Sequence, residues 1–438
     1  MPNRISTADN TGSKREIFGW AMYDFANSGY TTVVLTTIYS AFFVAVVAAD
    51  GTANSSGTAT FLWTLSIAAA NLAVLLSAPI IGAIADYRAH KKLFLFITTI
   101  ACVVSTALLA LAGPGQIVLA MGLFIISAIA FSAGENLIAA FLPEISDSDS
   151  MGKISGYGWS IGYFGGLLTL GICLVYINHA VSNGQTAEDY VPVTLLITAV
   201  IFALAAVPTF ILLKERARPK PLPFGQSYIG IGLGQVRRTL VSAAHHRDLF
   251  RFLGSLVLYQ AGVATVVVTA AIYAQEVMDF DSQQLIILIM VVNFTAAVGA
   301  FAFGFAQDRF GSVRTLAAGL TLWIIAIAVV FFATSATHLW IAGNLIGLAM
   351  GATQSGGRAL TGQLTPVERS AEFFGLWGFA SRAAAILGPL SYGLISHLTN
   401  GDQRLAILST LVYFIAGLLL LITVDEARGR AASNTVHS

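Results

Sequence analysis

The sequence predicts an all-α membrane protein of twelve transmembrane helices in two six-helix halves, and three observations carry that expectation. Hydrophobic residues make up 56% of the chain and charged residues only 10%, against roughly 25% charged in globular proteins. The mean hydropathy of +0.77 is too high for a single anchor to set over so long a chain. Apolar runs of about 20 residues, the length that crosses a bilayer as a helix, recur through the whole sequence.

The runs fall at 17–48, 61–84, 93–112, 117–142, 157–178 and 191–213, then at 250–275, 284–305, 315–334, 339–361, 373–397 and 406–424. A polar leader precedes the first, which is longer than a signal-peptide core and lacks a small-residue cleavage site, so it is expected to be a retained helix. Connections are short except for 214–249, which holds Lys214, Arg216, Arg218, Lys220, Arg237, Arg238 and Arg247 with Pro219, Pro221 and Pro223. This is expected to be a basic cytoplasmic linker between an N-terminal half (1–213) and a C-terminal half (250–438), with a surface helix over Val236 to His246. Placing alternate loops on one side collects 20 of the 23 basic residues there, which predicts that both termini are cytoplasmic. Only Arg404 falls opposite, while Arg358 and Arg382 lie inside spans. Asn54-Ser55-Ser56, a sequon on the outer side, carries little weight at three residues.

The halves repeat one another. Thr31 to Tyr39 in helix 1 aligns with Thr265 to Tyr273 in helix 7. Gly82-Ala-Ile-Ala-Asp86 at the end of helix 2 matches Gly304-Phe-Ala-Gln-Asp308 at the end of helix 8, each followed by basic residues, among them Arg88 and Arg309. Pro143 after helix 4 matches Pro366 after helix 10. Three matches in the same order indicate a duplicated six-helix unit, the parallel-repeat plan of secondary transporters, with substrate bound between the halves near mid-membrane.

Gly-x-x-x-Asp followed by basic residues between the second and third helix of each half resembles the signature loop of the major facilitator superfamily, with Tyr87 in place of the usual basic residue in the first copy. More narrowly, Trp20-Ala-Met-Tyr-Asp24-Phe-Ala-Asn27-Ser, Phe141-Leu-Pro143-Glu144-Ile, Ser155 to Gly166, and Gln354 to Leu360 with Ala371 to Leu376 resemble the fungal autophagy-linked vacuolar effluxers and their bacterial relatives. The resemblance implies amino-acid efflux, and it implies that helices 1, 4, 7 and 10 line the central path. At Gln260-Ala261, where many relatives carry Asn-Asp, the chain departs from the pattern, so no acidic role carries over to helix 7.

With Arg251 counted among the linker cations at the edge of its run, four charges remain inside spans: Asp24, Glu135, Arg358 and Arg382. Each costs about 2.5 to 3.5 kcal/mol at the bilayer centre, so such residues face a cavity, pair, or snorkel. The acids are both in the first half and the arginines both in the second. Glu135 and Arg358 each precede a matched proline by eight residues, about 12 Å along the helix, and so occupy pseudo-symmetric sites of opposite charge. An acidic wall facing a basic wall suits a zwitterion. A structural ion pair or a Glu135–Arg358 gate is the competing expectation. Asn27, Tyr30 and Thr31 extend a polar stripe from Asp24, and Gln260, Asn293 and Gln354 are uncharged candidates for the same path, with helix-to-helix hydrogen bonding as the alternative. Asp86, Arg88, Asp308 and Arg309 are the expected gating residues, and helix 11 is the expected partner of Asp86.

Other patterns carry no chemistry. Gly158-Trp-Ser160-Ile-Gly162 satisfies a nucleophile motif, but no strand precedes it and no span holds a central histidine as base. Gly158, Gly162 and Gly166, like Gly347 and Gly351, are expected to admit a neighbouring helix. No nucleotide fingerprint is present, the histidines and Cys102 and Cys173 lack ligand spacing, and a net charge of +1 gives no bias towards nucleic acid. The expectation is a monomeric carrier of a small solute, without cofactor or metal and not an enzyme, driven by a gradient in which protons are a candidate. The compact loops favour a bacterial plasma membrane over a vacuolar one. The rivals are a proton-coupled carrier of an anionic metabolite, sugar or drug-like solute, and a receptor or channel without a transport cycle.

Overall fold

The structure, a computed structural model, describes residues 12–48, 56–147, 149–217, 219, 227–241, 246–278, 280, 282–399 and 402–434. Twelve long helices are found among them: α1 Lys14–Val47, α2 Ser56–Arg88, α3 Lys91–Leu108, α4 Ile117–Ala139, α5 Met151–Ser182, α6 Ala187–Leu212, α7 Arg247–Met278, α8 Ser282–Phe310, α9 Ser312–Phe331, α10 Ala336–Gln363, α11 Ser370–Leu398 and α12 Gln403–Leu421. Eleven are long and apolar enough to cross a membrane. The exception, α10, is long enough but carries Thr353, Ser355, Arg358, Thr361 and Gln363, all of them buried. Its polarity therefore faces protein rather than water, as expected of a helix at the centre of a membrane bundle.

Several helices begin before their apolar runs because polar caps start them. Ser13 Oγ accepts from the Glu16 amide (3.3 Å) while Glu16 Oε2 accepts from the Ser13 amide (3.0 Å), a capping box that opens α1 at Lys14. Thr186 and Asp189 do the same for α6, and Asp402 accepts from the amides of Arg404 and Leu405 to start α12. Within α1, Thr31–Thr37 and Phe43–Val47 widen into π-turns. The Thr32 carbonyl accepts from the hydroxyls of both Thr36 and Thr37 (2.9 and 2.5 Å), which holds the helix in the looser winding.

The linker helix differs from the sequence expectation. It spans Tyr228–Val241, not Val236 to His246, because the Ser227 hydroxyl accepts from the Gly230 amide (3.0 Å) and starts the helix ahead of its glycines. Residues 242–245 and the Asn54-Ser55 pair of the sequon lie outside the described residues.

The two ends of the described chain share one face. The Gly12 amide donates to Ile145 O (3.0 Å), Arg216 at the start of the linker pairs with Glu16 (3.0 Å), and the C-terminal helix Glu426–Asn434 sits beneath the amides of Ser312 and Val313, which donate to Glu426 Oε2. We call this the basic face. Arg404 lies at the opposite end, donating to Phe331 O (3.1 Å).

The first six helices meet the last six chiefly through α2 against α11 and α5 against α8. Lipid tails supply no hydrophobic drive for helix association, so close backbone approach at small residues does the work. A Cβ on Gly375 would stand 2.6 Å from Ala78 O, and one on Gly156 2.6 Å from Ala300 O. Gly82 meets Ala371 O and Gly304 meets Gly152 O in the same pseudo-symmetric way.

Candidate functional site

The seam between the halves is polar at the basic face. Asp86, at the end of α2, accepts from the amides of Ala371 (3.1 Å) and Glu372 (2.8 Å) in the first turn of α11. Asp308, at the end of α8, accepts from the amides of Gly152 and Lys153 (both 2.9 Å) in the first turn of α5. The first-turn amides of a helix have no intrahelical partner and carry its positive dipole end, so a carboxylate from the other half both satisfies and neutralises them. Helix 11 is thus the partner of Asp86, as expected. Lys91 braces this contact from α3: its buried Nζ stands 3.6 Å from Asp86, pairs with Glu144 and donates to Ser370 Oγ (2.8 Å).

Deeper in, Arg358 of α10 is folded into the first half. Its Nη1 lies 2.6 Å from Asp24 Oδ2, with only 4% and 12% of the two side chains exposed. Nε donates to Ser155 Oγ (3.2 Å) and Nη2 to Ser155 O (3.0 Å). The guanidinium also lies over the rings of Trp20 (4.5 Å) and Trp159 (5.4 Å). Trp20 is fixed in turn by its indole N–H donating to Ile138 O (2.8 Å), and Ser155 Oγ donates across the seam to Ser355 O (2.8 Å). Every donor group of Arg358 named here is spent on protein, which makes it a lock between halves.

The second pair is different. Glu135 Oε2 of α4 accepts from Arg382 Nη2 of α11 at 3.0 Å, and 30% and 21% of these side chains remain exposed. Arg382 Nη1 reaches Asn71 Oδ1 at 3.5 Å. Nearby helices carry buried polar atoms without hydrogen-bond partners: Asn27 Oδ1, Trp159 Nε1, Gln260 Oε1 and Trp377 Nε1. Asn27 and Trp159 lie one turn further from the basic face than Asp24 and Ser155. Gln354, which accepts from Gln260 Nε2 (3.1 Å), lies one turn further than Arg358. Unsatisfied buried polar groups are rare and mark places where a ligand or water completes the bonding. The Asp86, Asp308 and Arg358 contacts lie between the basic face and this level, whereas Arg382 stands on α11 five residues further from the basic face than Trp377. The arrangement has a closed basic side, a charged floor, and a polar ring above it.

The structure redistributes the sequence candidates. Glu135 and Arg358 do not oppose each other; α4 faces α11, so Glu135 takes Arg382, while Arg358 extends towards α1 and α5 and takes Asp24. Tyr30 leaves the path: it is fully buried, bonds Ser127 Oγ (2.7 Å) and stacks on Phe131 (4.9 Å) within the first half. Thr31 and Asn293 bond carbonyls of their own helices. Arg88 and Arg309 are exposed, over the rings of Tyr228 and Phe310. They stand about 200° and 100° round their helices from Asp86 and Asp308, and so do not share the carboxylates' faces. Sequence reasoning missed Lys91, counted there only as a loop cation, and the lock residues Ser155 and Trp159, which stood within a quoted motif. Gly158 packs on Trp20, Asp24 and Arg358, and Gly162 and Gly166 on α1, so the nucleophile-like motif is helix packing.

Two six-helix bundles meeting at a charged central seam define a transporter of the major facilitator type. The profile of the family described as "Vacuole effluxer Atg22 like" matches residues 12–434, and the chain belongs to that family. It is 28% identical over 409 residues to the "Uncharacterized MFS-type transporter YxiO" of Bacillus subtilis, covering 93% of this chain and 94% of that one. It is 27% identical over 299 residues to "Autophagy-related protein 22-1" of Aspergillus niger, covering 64% of this chain and 48% of the fungal protein, so it spans about half the length of that relative. Among solved structures, the human organic anion transporter MFSD10 superposes with a TM-score of 0.71 at 14% identity, covering 93% and 99% of the two chains. The proton:xylose symporter XylE gives 0.69 at 14% identity, covering 93% and 94%. At such identities these two share the fold alone.

Proposed function

We propose that the chain is a secondary transporter of a small zwitterionic solute, an amino acid or close relative, working by alternating access, and that the structure is its state closed on the cytoplasmic, basic face. The observation that carries this is the Glu135–Arg382 pair, contributed by opposite halves and partly exposed. An empty site must not leave a charge bare in low dielectric, and this one closes on itself. A zwitterion entering between the two exchanges one ion pair for two, ammonium to Glu135 and carboxylate to Arg382, and strands nothing. An anion or a cation would leave one partner uncompensated. Arg358, already paired and enclosed, serves the lock rather than the cargo. The path lies within one chain, which fits a monomer, and the full-length likeness to a bacterial relative supports a bacterial plasma membrane.

Counterflow in proteoliposomes tests this. Labelled amino acid should accumulate transiently in vesicles preloaded with unlabelled amino acid, without any ion gradient, because only a carrier exchanges solute. Exchange of an anionic metabolite or a sugar but of no amino acid would overturn the substrate class. Conductance without exchange would make the protein a channel.

A further inference from the structure

The linker helix Tyr228–Val241 packs against α2 at the basic face. Its first residue is held there by the Arg88 guanidinium, 4.6 Å above the Tyr228 ring. Ile231, on the side turned to the protein, is 5% exposed, whereas Ile229 and Leu233 are 63% and 50% exposed. Ile229 and Leu233 are one turn apart and share a face, about 160° to 200° away from Ile231, and the sequence repeats an apolar residue in the same register at Val236 and Leu240. Ile229 and Leu233 thus turn an apolar stripe away from the protein. A stripe of that kind, facing water, would be an anomaly in a monomeric protein.

The charge around it supplies the occupant. From Arg218 to Arg247 the chain carries five basic side chains, Arg218, Lys220, Arg237, Arg238 and Arg247, and no acidic one; Arg216 ahead of them is paired with Glu16. Arg237 is exposed, and so is Arg88 at the adjoining end of α2. An apolar stripe combined with unopposed positive charge, at the end of a spanning helix, matches a helix that lies in the plane of the interface. We propose that the helix Tyr228–Val241 binds the surface of an anionic bilayer, with Ile229 and Leu233 seated at the headgroup boundary and the linker cations on lipid phosphates.

The test uses the full-length protein. Cys102 and Cys173 are both buried, so an environment-sensitive fluorophore can be attached selectively at Leu233→Cys, with Ile229→Cys as a second site should the first disturb folding. The protein is placed in nanodiscs of phosphatidylcholine alone or of phosphatidylcholine mixed with phosphatidylglycerol. The expected result is a blue-shifted label, quenched by brominated lipid and shielded from aqueous iodide, in the anionic discs. In neutral discs, and in anionic discs at high salt, iodide should regain access. Adding Arg237→Gln should move the lipid-to-water ratio of the label by about fivefold towards water, the share of one basic residue at an anionic surface. Equal quenching by brominated lipid in the two bilayers, or iodide access in both, would overturn the proposal. No transport is read, so its failure is separate from failure of the transport reading.

Discussion

Asp86 and Asp308 stand in one pseudo-symmetric relationship: each ends the second helix of its half and accepts two backbone N–H groups from the first turn of a helix in the other half. The two contacts close the basic face at both edges of the seam. They differ in burial, Asp86 being 4% exposed and Asp308 half-buried, and only Asp86 has a buried lysine beside it.

Asp86→Asn should therefore shift the protein towards the state open at the basic face. A carboxylate on a helix N-terminus contributes about 0.3 to 2 kcal/mol, so the closed-to-open ratio should fall about two- to thirtyfold. Asp308→Asn should act in the same direction with a smaller effect. Labelling rates of cysteines introduced along α5 and α11 near the basic face read the shift; unchanged rates and transport would show that these acids are topological charges only.

Asp24 and Arg358 should behave as a coupled pair. Asp24→Asn alone and Arg358→Gln alone each strand a buried charge, and each should lower stability by about 3 to 5 kcal/mol. The double variant should recover much of that loss, because no bare charge remains. Thermal unfolding in detergent measures all four proteins. Additive losses would refute the coupling.

Glu135→Gln and Arg382→Lys should leave stability nearly intact, since this pair is partly exposed, yet reduce amino-acid exchange by about ten- to hundredfold through loss of one charged hydrogen bond to the solute. If Glu135 instead carries the coupling proton, Glu135→Gln should spare exchange and abolish only gradient-driven accumulation. Wild-type exchange and accumulation in both variants would return the pair to a structural role.

Gly375→Ala should also open the basic face. Its Cβ would meet Ala78 O at 2.6 Å and the backbone of Pro79 at 2.7 Å, contacts that only separation of α2 and α11 relieves. Gly122→Ala, whose Cβ meets nothing within 4 Å, is the control and should change nothing. The same cysteine-labelling measurement distinguishes the two.

Composition, run length and the internal repeat determined the architecture, because a bilayer demands about 20 apolar residues per helix and leaves few other solutions. The positions of Asp24, Glu135, Arg358 and Arg382 were legible too, since a charge inside an apolar run stands out, as were the carboxylates of Asp86 and Asp308 through their repeated motif. Pairing was not legible. Equal depth on two helices does not say which faces which; the packing of α4 on α11, and the reach of Arg358 between Trp20, Asp24 and Ser155, decided that Glu135 and Arg358 take different partners. Tyr30 and Lys91 show the same limit: helical spacing placed one on a polar stripe and the other in a loop, and only the neighbouring helices turned the first inward to Ser127 and buried the second between Asp86 and Glu144. Sequence periodicity sets the face of a residue on its own helix, while the partner across the seam is set by how the helices pack.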